Sequence, residues 1–124
     1  MTTVFEVIDN AVAEYYCKNK EYDKGLAACR ALISTREGEE KTQVISNFTK
    51  YAFEYAASLA KEDKWGEAIL LYREIMSYPN FPVTTYKNAG LCLKAMGRGQ
   101  DALSFLELYR ERTPNNPEAY VFMG

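Results

Sequence analysis

The fold is decided by residues 83–116, which read VTTYKNAGLCLKAMGRGQDALSFLELYRERTPNN. The apolar residues of this stretch recur at intervals of three and four, which predicts two amphipathic helices. Gly97 separates the two helices and Pro114 ends the second, because glycine adopts left-handed backbone angles and proline lacks an amide proton. The stretch therefore predicts one antiparallel helix pair.

The neighbouring sequence repeats this stretch with a fixed period. Tyr120 follows Tyr86 by 34 residues, and Ala68 precedes Ala102 by the same interval. A period of this length is typical of stacked-repeat proteins, in which each unit is one helix pair. No stretch alternates with period two for long enough to predict a strand. The sequence therefore predicts an all-α protein built from helix pairs.

Six helices and the start of a seventh are predicted from apolar spacing and helix breakers. They span about 3–20, 22–35, 42–62, 65–77, 83–96 and 100–112, and the seventh begins at about 118. The charged segment 36–41 contains a glycine and is predicted to be a loop. Its three glutamates lack the alternating pattern of a calcium-binding loop, so a solvated loop is favoured over a metal site.

The repeated stretch resembles the tetratricopeptide repeat (TPR) family, whose signature is W-x-x-L-G-x-x-Y, then A-x-x-x-F, then P. In the unit at 83–116 the matching positions hold Tyr86, Ala89, Gly90, Leu93, Ala102, Leu106 and Pro114. In the unit at 49–82 they hold Ala52, Tyr55, Ala56, Leu59, Ala68 and Tyr72. In the unit at about 6–39 they hold Val12, Ala13, Tyr16, Gly25 and Cys29. The first two units are offset by 43 residues rather than 34.

The resemblance implies a right-handed superhelical stack of about three antiparallel helix pairs, followed by a short C-terminal helix start. Residues 1–124 would form a single TPR-like domain, with units at about 6–39, 49–82 and 83–116 and a partial unit at 117–124. In this family the first helices of the units line a concave groove that holds an extended peptide or a partner helix. The matching groove positions hold Asn10, Glu14, Lys50, Phe53, Glu54, Lys61, Lys87, Asn88, Leu91 and Lys94. For any one of these residues, a solvated helix face is an equally good interpretation.

The glycines of the repeated stretch are interpreted as packing residues. Gly90 lies within a helix, where glycine costs ~1 kcal/mol relative to alanine. A close second helix explains this choice, and Ala102 is small at the matching point of that helix. Residues 97–102 match a dinucleotide-loop pattern, but such a loop must follow a strand. Gly97 is instead predicted to end a helix in a left-handed conformation.

Composition argues against several classes of function. The formal net charge is −2, whereas a general nucleic-acid binder is basic overall or on one face. The chain has no histidine, which removes the commonest general base and the commonest metal ligand. We find no zinc-site spacing, phosphate loop or nucleophile motif. The sequence therefore predicts a protein that is not an enzyme and that carries no cofactor or metal.

The cysteines and the N-terminus bear on location. Cys17, Cys29 and Cys92 are scattered and form no C-x-x-C motif, which favours reduced, buried thiols in a cytosol-like compartment. The first ten residues lack the basic start of a signal peptide. The longest apolar run, 68–72, is far shorter than the ~20 residues of a membrane helix. These features predict a cytoplasmic protein without membrane insertion.

The predicted function is a non-enzymatic protein–protein interaction module that binds a peptide or helix in the groove. The alternative is a structural or scaffold subunit that self-assembles or belongs to a longer TPR array. The apolar C-terminal run from Tyr120 to Met123 motivates this alternative. Three interpretations of the run are open: it folds back onto the preceding helix, it packs on a second copy in a homo-oligomer, or it is the edge of a longer array.

Overall fold

The structure is a computed structural model of the chain, and it describes residues 10–115. These residues form six α-helices and contain no strand, so the all-α class is confirmed for this range. The helices are α1 Asn10–Lys18, α2 Tyr22–Thr35, α3 Gly38–Lys61, α4 Trp65–Met76, α5 Thr84–Ala95 and α6 Gly99–Arg112. The predicted start of the first helix and the predicted seventh helix lie outside the described residues.

The predicted loop at 36–41 is wrong, because α3 already begins at Gly38. Glu39 and Glu40 occupy the first turn of α3, where carboxylates interact favourably with the helix dipole. Gly38 has a φ of +62°, and the hydroxyl of Thr42 donates a hydrogen bond to its carbonyl at 3.2 Å. Charge and glycine therefore mark a helix start here. The first two repeat units are offset by 43 residues rather than 34. The additional residues lengthen α3, which has 24 residues.

The chain divides into two compact units, and the boundary falls within α3, between Ala52 and Phe53. In the first unit, α1 packs against α2. The buried apolar side chains of this unit are Ala13, Cys17, Leu26, Cys29, Leu32, Ile33, Val44, Phe48, Tyr51 and Ala52. The guanidinium of Arg30 lies 5.5 Å from the centre of the Phe48 ring. The prediction of a single domain over 1–124 stays a prediction.

In the second unit, α4 packs against α5, and α5 packs against α6. The buried apolar side chains of this unit are Ala56, Leu59, Ala68, Ile69, Leu71, Tyr72, Ile75, Ala89, Cys92, Leu93, Ala102, Leu106 and Tyr109. Gly90 has the close neighbour that the sequence predicts. A Cβ added at Gly90 would lie 2.9 Å from Cγ of Leu106 and 3.3 Å from the carbonyl oxygen of Ala102. The absence of a side chain at Gly90 therefore allows α5 and α6 to approach closely.

The helices α1, α3 and α5 end in the same backbone conformation. Each is followed by a residue with positive φ: Lys20 at 63°, Asp63 at 61° and Gly97 at 78°. The amide of each of these residues donates to the carbonyl three residues back at 3.0 Å. The amide of the next residue donates to the carbonyl five residues before it, at 2.8–2.9 Å. These two bonds define the Schellman motif, which satisfies carbonyls at a helix end.

These turns are separated by the same intervals as the repeat units in the sequence. Lys20, Asp63 and Gly97 are separated by 43 and 34 residues. The residue that follows each of them has φ between −90° and −101° and ψ between 58° and 62°, and it is the N-cap residue of the next helix. Three helix–turn–helix connections thus share one geometry. The prediction that Gly97 ends a helix in a left-handed conformation is confirmed.

Candidate interaction site

Two predicted groove residues of the first compact unit, Glu14 and Lys50, both contact Tyr51. The hydroxyl of Tyr51 donates a hydrogen bond to the carboxylate of Glu14 at 3.4 Å. The ammonium of Lys18 lies 3.4 Å from the same carboxylate oxygen. The ammonium of Lys50 lies 5.1 Å from the centre of the Tyr51 ring, a distance at which a cation and a ring attract. Both charges therefore have partners within the unit.

Asn10, the third predicted groove residue of this unit, lines a cleft of about 440 Å³. The other lining residues are Leu32, Arg36, Glu39, Glu40, Gln43 and Val44. Arg36 lies 3.6 Å from Glu40, so the cation of this cleft is already paired. The side-chain oxygen of Asn10 is buried and accepts no hydrogen bond from the described residues. Arg36 therefore offers a ligand no free cation.

The second unit contains a smaller cleft of about 260 Å³, which α3, α4 and α5 line. Its lining residues are Ala57, Ala60, Trp65, Tyr72, Asn88, Leu91 and Cys92. Ala57 and Ala60 are three residues apart, so they share one face of α3, and their small size leaves the space open. Asn88 and Leu91 are predicted groove residues, and both are half-buried here. The structure therefore brings these two predicted residues into one site.

The polar groups that line this cleft are uncharged near neutral pH. Burial raises the pKa of Tyr72 to about 12, and the neighbouring Cys92 acts in the same direction. A hydrogen bond with the side chain of Asn88 acts in the opposite direction and is the smaller effect. Burial also raises the pKa of the Cys92 thiol. The cleft thus offers a phenol, an amide and a thiol among apolar surfaces, without a buried charge.

Phe53 and Lys87, which hold equivalent positions in the 34-residue register, do not line this cleft. The ring of Phe53 packs edge-on against Tyr72, with the ring centres 5.8 Å apart. The ammonium of Lys87 lies 6.0 Å from the centre of the Tyr109 ring. Each residue thus packs on a tyrosine of the following helix. Phe53 is half-buried by this contact, which reduces the apolar surface it offers as an anchor.

The remaining predicted residues, Glu54, Lys61 and Lys94, are exposed. Lys61 lies one helical turn after Ala57, and Lys94 lies three residues after Leu91, so each shares a helix face with a lining residue of the cleft. Neither lysine forms an ion pair with any residue between 10 and 115. Glu54 lies one turn before Ala57. The α3 surface beside the cleft therefore changes from acidic to basic along the helix.

No protein-family model, curated protein or solved structure matches this chain. The TPR resemblance consequently stays a prediction. Within residues 10–115, no three His, Cys, Asp or Glu residues are grouped so that they could hold a metal ion. None of the helices in the same range is both long enough and apolar enough to cross a membrane.

The sequence indicates no site role for several lining residues of the smaller cleft, among them Ala60, Trp65, Tyr72 and Cys92. Tyr72 and Cys92 occupy positions whose apolar spacing indicates core. Trp65 begins α4, where the sequence indicates only a helix start. One signal was available in the sequence: Ala57 and Ala60 place two small residues on the same helix face. Such a pair indicates either a close helix or an open space, and spacing alone does not separate these outcomes.

Proposed function

We propose that this chain is a non-enzymatic protein–protein interaction module that binds a peptide or a partner helix. In this proposal the fold is a right-handed TPR-like solenoid. The first helix of each repeat unit contributes to the binding surface. It acts in the cytoplasm, without a cofactor, nucleic acid or membrane insertion. The observation that carries the proposal is the cleft of the second unit, which is lined by Asn88 and Leu91 at predicted groove positions.

The size of this cleft supports a peptide partner. Sites for small molecules and cofactors typically have volumes of roughly 300–1,000 Å³. The cleft of the second unit has about 260 Å³, which suits one side chain better than a cofactor. Peptide and protein partners commonly place a few anchor side chains in such pockets, while the surrounding contacts exclude water.

The recurrent turn supports the repeat architecture in this proposal. Lys20, Asp63 and Gly97 have the same left-handed conformation, at intervals of 43 and 34 residues, which are the offsets between the three repeat units in the sequence. Small residues occupy the matching point of the second helix in each pair, at Gly25, Ala68 and Ala102. All three are buried. Repeated helix pairs present equivalent faces, which is the usual basis of binding surfaces in stacked-repeat proteins.

The test is a selection of peptides from a displayed random library on the full chain, followed by titration of the selected peptides. Ala60→Trp fills the cleft, and we expect it to weaken binding about tenfold or more. Ala27→Trp is the matched control, because Ala27 is exposed on α2, and this variant should bind like the parent. If no peptide is enriched, or if Ala60→Trp binds as tightly as Ala27→Trp, the proposal fails.

The second candidate function is a structural subunit that self-assembles. Two large apolar side chains support it, because Tyr15 is 63% exposed and Leu70 is 69% exposed. Apolar residues that a subunit interface buries are exposed in the isolated subunit. Sedimentation velocity over a range of concentrations tests this candidate. A sedimentation coefficient that rises with concentration, and that Leu70→Asp returns to the monomer value, supports self-assembly; a monomer at every concentration excludes it.

A further inference from the structure

We infer that the cleft of the second unit accepts one large apolar side chain of a peptide whose neighbouring residues are acidic. This inference rests on the proposed function and adds the chemistry of the partner. It concerns the cleft that contains Asn88 and Leu91, together with the lysines beside it. The occupant is a protein segment with an apolar anchor and a carboxylate on its flank.

The walls of the cleft select an apolar anchor. Ala57, Ala60 and Leu91 supply aliphatic surface, and Trp65 supplies an aromatic face. Tyr72 is 1% exposed and hydrogen-bonds to Asn88, so its hydroxyl already has a protein partner. A charged side chain placed in the cleft would lose its hydration and find no opposite charge among the lining residues. An apolar side chain incurs no such penalty and gains from the area it removes from water.

Charged residues beside the cleft favour one sign of charge in the peptide residues that flank the anchor. Lys61 and Lys94 are exposed, have no ion-pair partner among residues 10–115, and each lies within one helical turn of a lining residue. The nearby Lys64 is paired with Glu62 at 3.5 Å. The unpaired positive charge therefore comes from Lys61 and Lys94.

Glu54 indicates on which side of the anchor the acidic residues of the peptide should lie. It lies one turn before Ala57 on α3, on the opposite side from Lys61. A carboxylate of the partner is attracted near Lys61 and repelled near Glu54. Acidic residues should therefore flank the anchor on the side of Lys61.

The experiment uses the full chain and three synthetic peptides with the same apolar anchor. Their flanking residues are aspartate and glutamate, asparagine and glutamine, or lysine. Exposed ion pairs contribute modestly, so we expect the acidic peptide to bind about three- to tenfold tighter than the amide peptide and the lysine peptide to bind weakest. High salt should reduce this preference, because it screens surface charges.

Charge-reversal variants assign the preference to the two lysines. Lys61→Glu/Lys94→Glu should invert the order of the three peptides, and Lys61→Gln/Lys94→Gln should abolish the preference. Lys20→Glu/Lys41→Glu changes the net charge equally at exposed positions of the first unit and should preserve the order. The Gln variant, which introduces no new charge, keeps the result readable if the Glu variant is poorly folded.

The outcomes separate this inference from the function on which it rests. If library selection yields peptides that Ala60→Trp rejects, and these peptides show no preference for acidic flanks, the inference is overturned and the proposed function stands. If the preference persists in Lys61→Gln/Lys94→Gln, the inference is also overturned. If no peptide is enriched, both fail.

Discussion

Asp63 and Gly97 have the same left-handed backbone conformation at the ends of α3 and α5, with φ angles of 61° and 78°. Both are followed by the same Schellman hydrogen bonds. Glycine adopts this conformation without steric strain, whereas a residue with a Cβ is disfavoured there by roughly 1 kcal/mol. The same turn is therefore built once with a favourable residue and once with an unfavourable one.

This relationship predicts opposite effects of two substitutions on stability. Asp63→Gly should raise the free energy of unfolding by about 0.5–1 kcal/mol, and Gly97→Ala should lower it by about 1 kcal/mol. Lys20→Gly should behave like Asp63→Gly, because Lys20 has a φ of 63°. Urea denaturation measures all three. Gly99→Ala is the control, because a Cβ at Gly99 meets nothing within 4 Å; equal effects at Gly97 and Gly99 would contradict the prediction.

The close approach at Gly90 predicts that this position does not tolerate a large side chain. A Cβ there lies 2.9 Å from Leu106. Gly90→Leu should therefore lower the free energy of unfolding by about 1–3 kcal/mol through overpacking. Thermal or urea denaturation measures the loss.

Two further variants identify the cause of this loss. Gly66→Leu introduces the same side chain into α4, where a Cβ meets nothing within 4 Å, and should cost little. Leu106→Ala removes the side chain that opposes position 90. In a double-mutant cycle, Gly90→Leu should be less damaging in the Leu106→Ala background than in the parent. Additive effects would show that Leu106 does not limit the space at position 90.

Thr85 is a buried polar residue whose hydroxyl lacks a hydrogen-bond partner among the described residues. Burial of a hydroxyl without a partner is unfavourable, and valine has nearly the same shape without the hydroxyl. Thr85→Val should therefore raise the free energy of unfolding by about 1 kcal/mol. Thr85→Ser keeps the hydroxyl, removes a methyl group and should be destabilising. A lower melting temperature for Thr85→Val than for the parent would indicate that the hydroxyl has a partner.

The buried thiols and phenol predict a loss of stability at high pH. Burial raises the pKa of Cys29 from 9.0 to about 12, with a further rise caused by Cys17, and raises that of Tyr72 from 10.0 to about 12. These groups hold their protons more tightly in the folded state, so the free energy of unfolding is unaffected below the unfolded pKa values. It should fall as the pH rises from about 9 to about 12.

Single substitutions separate the contribution of the Cys29 thiol from that of the Tyr72 phenol. Cys29→Ala should reduce the slope of the free energy of unfolding against pH from about pH 9 upward, and Tyr72→Phe from about pH 10 upward. The parent and each variant share every other titratable group, so only differences in slope are compared. Urea denaturation at several pH values measures these slopes. Parallel curves for parent and Cys29→Ala would mean that Cys29 ionises equally in the folded and unfolded chain.

Most helix boundaries could be predicted from the sequence, because they depend on neighbouring residues. The spacing of apolar residues predicts α2, α4, α5 and α6 within one or two residues of their observed bounds. Glycine at position 97 predicts the end of α5 for a reason that is purely local, namely its tolerance of positive φ. The start of α3 could not be predicted, because acidic residues next to a glycine indicate a loop and a helix N-terminus equally well.

The sequence by itself determined the all-α class, the positions of most helix breaks and the small residues where helices meet, since these follow from backbone preferences and apolar spacing. Only the tertiary structure decided which groove candidates share a site. Spacing places Phe53 and Leu91 on comparable helix faces, yet Phe53 packs on Tyr72 while Leu91 lines the cleft. The difference depends on side chains from helices distant in the chain, and their proximity is set by packing rather than by local sequence.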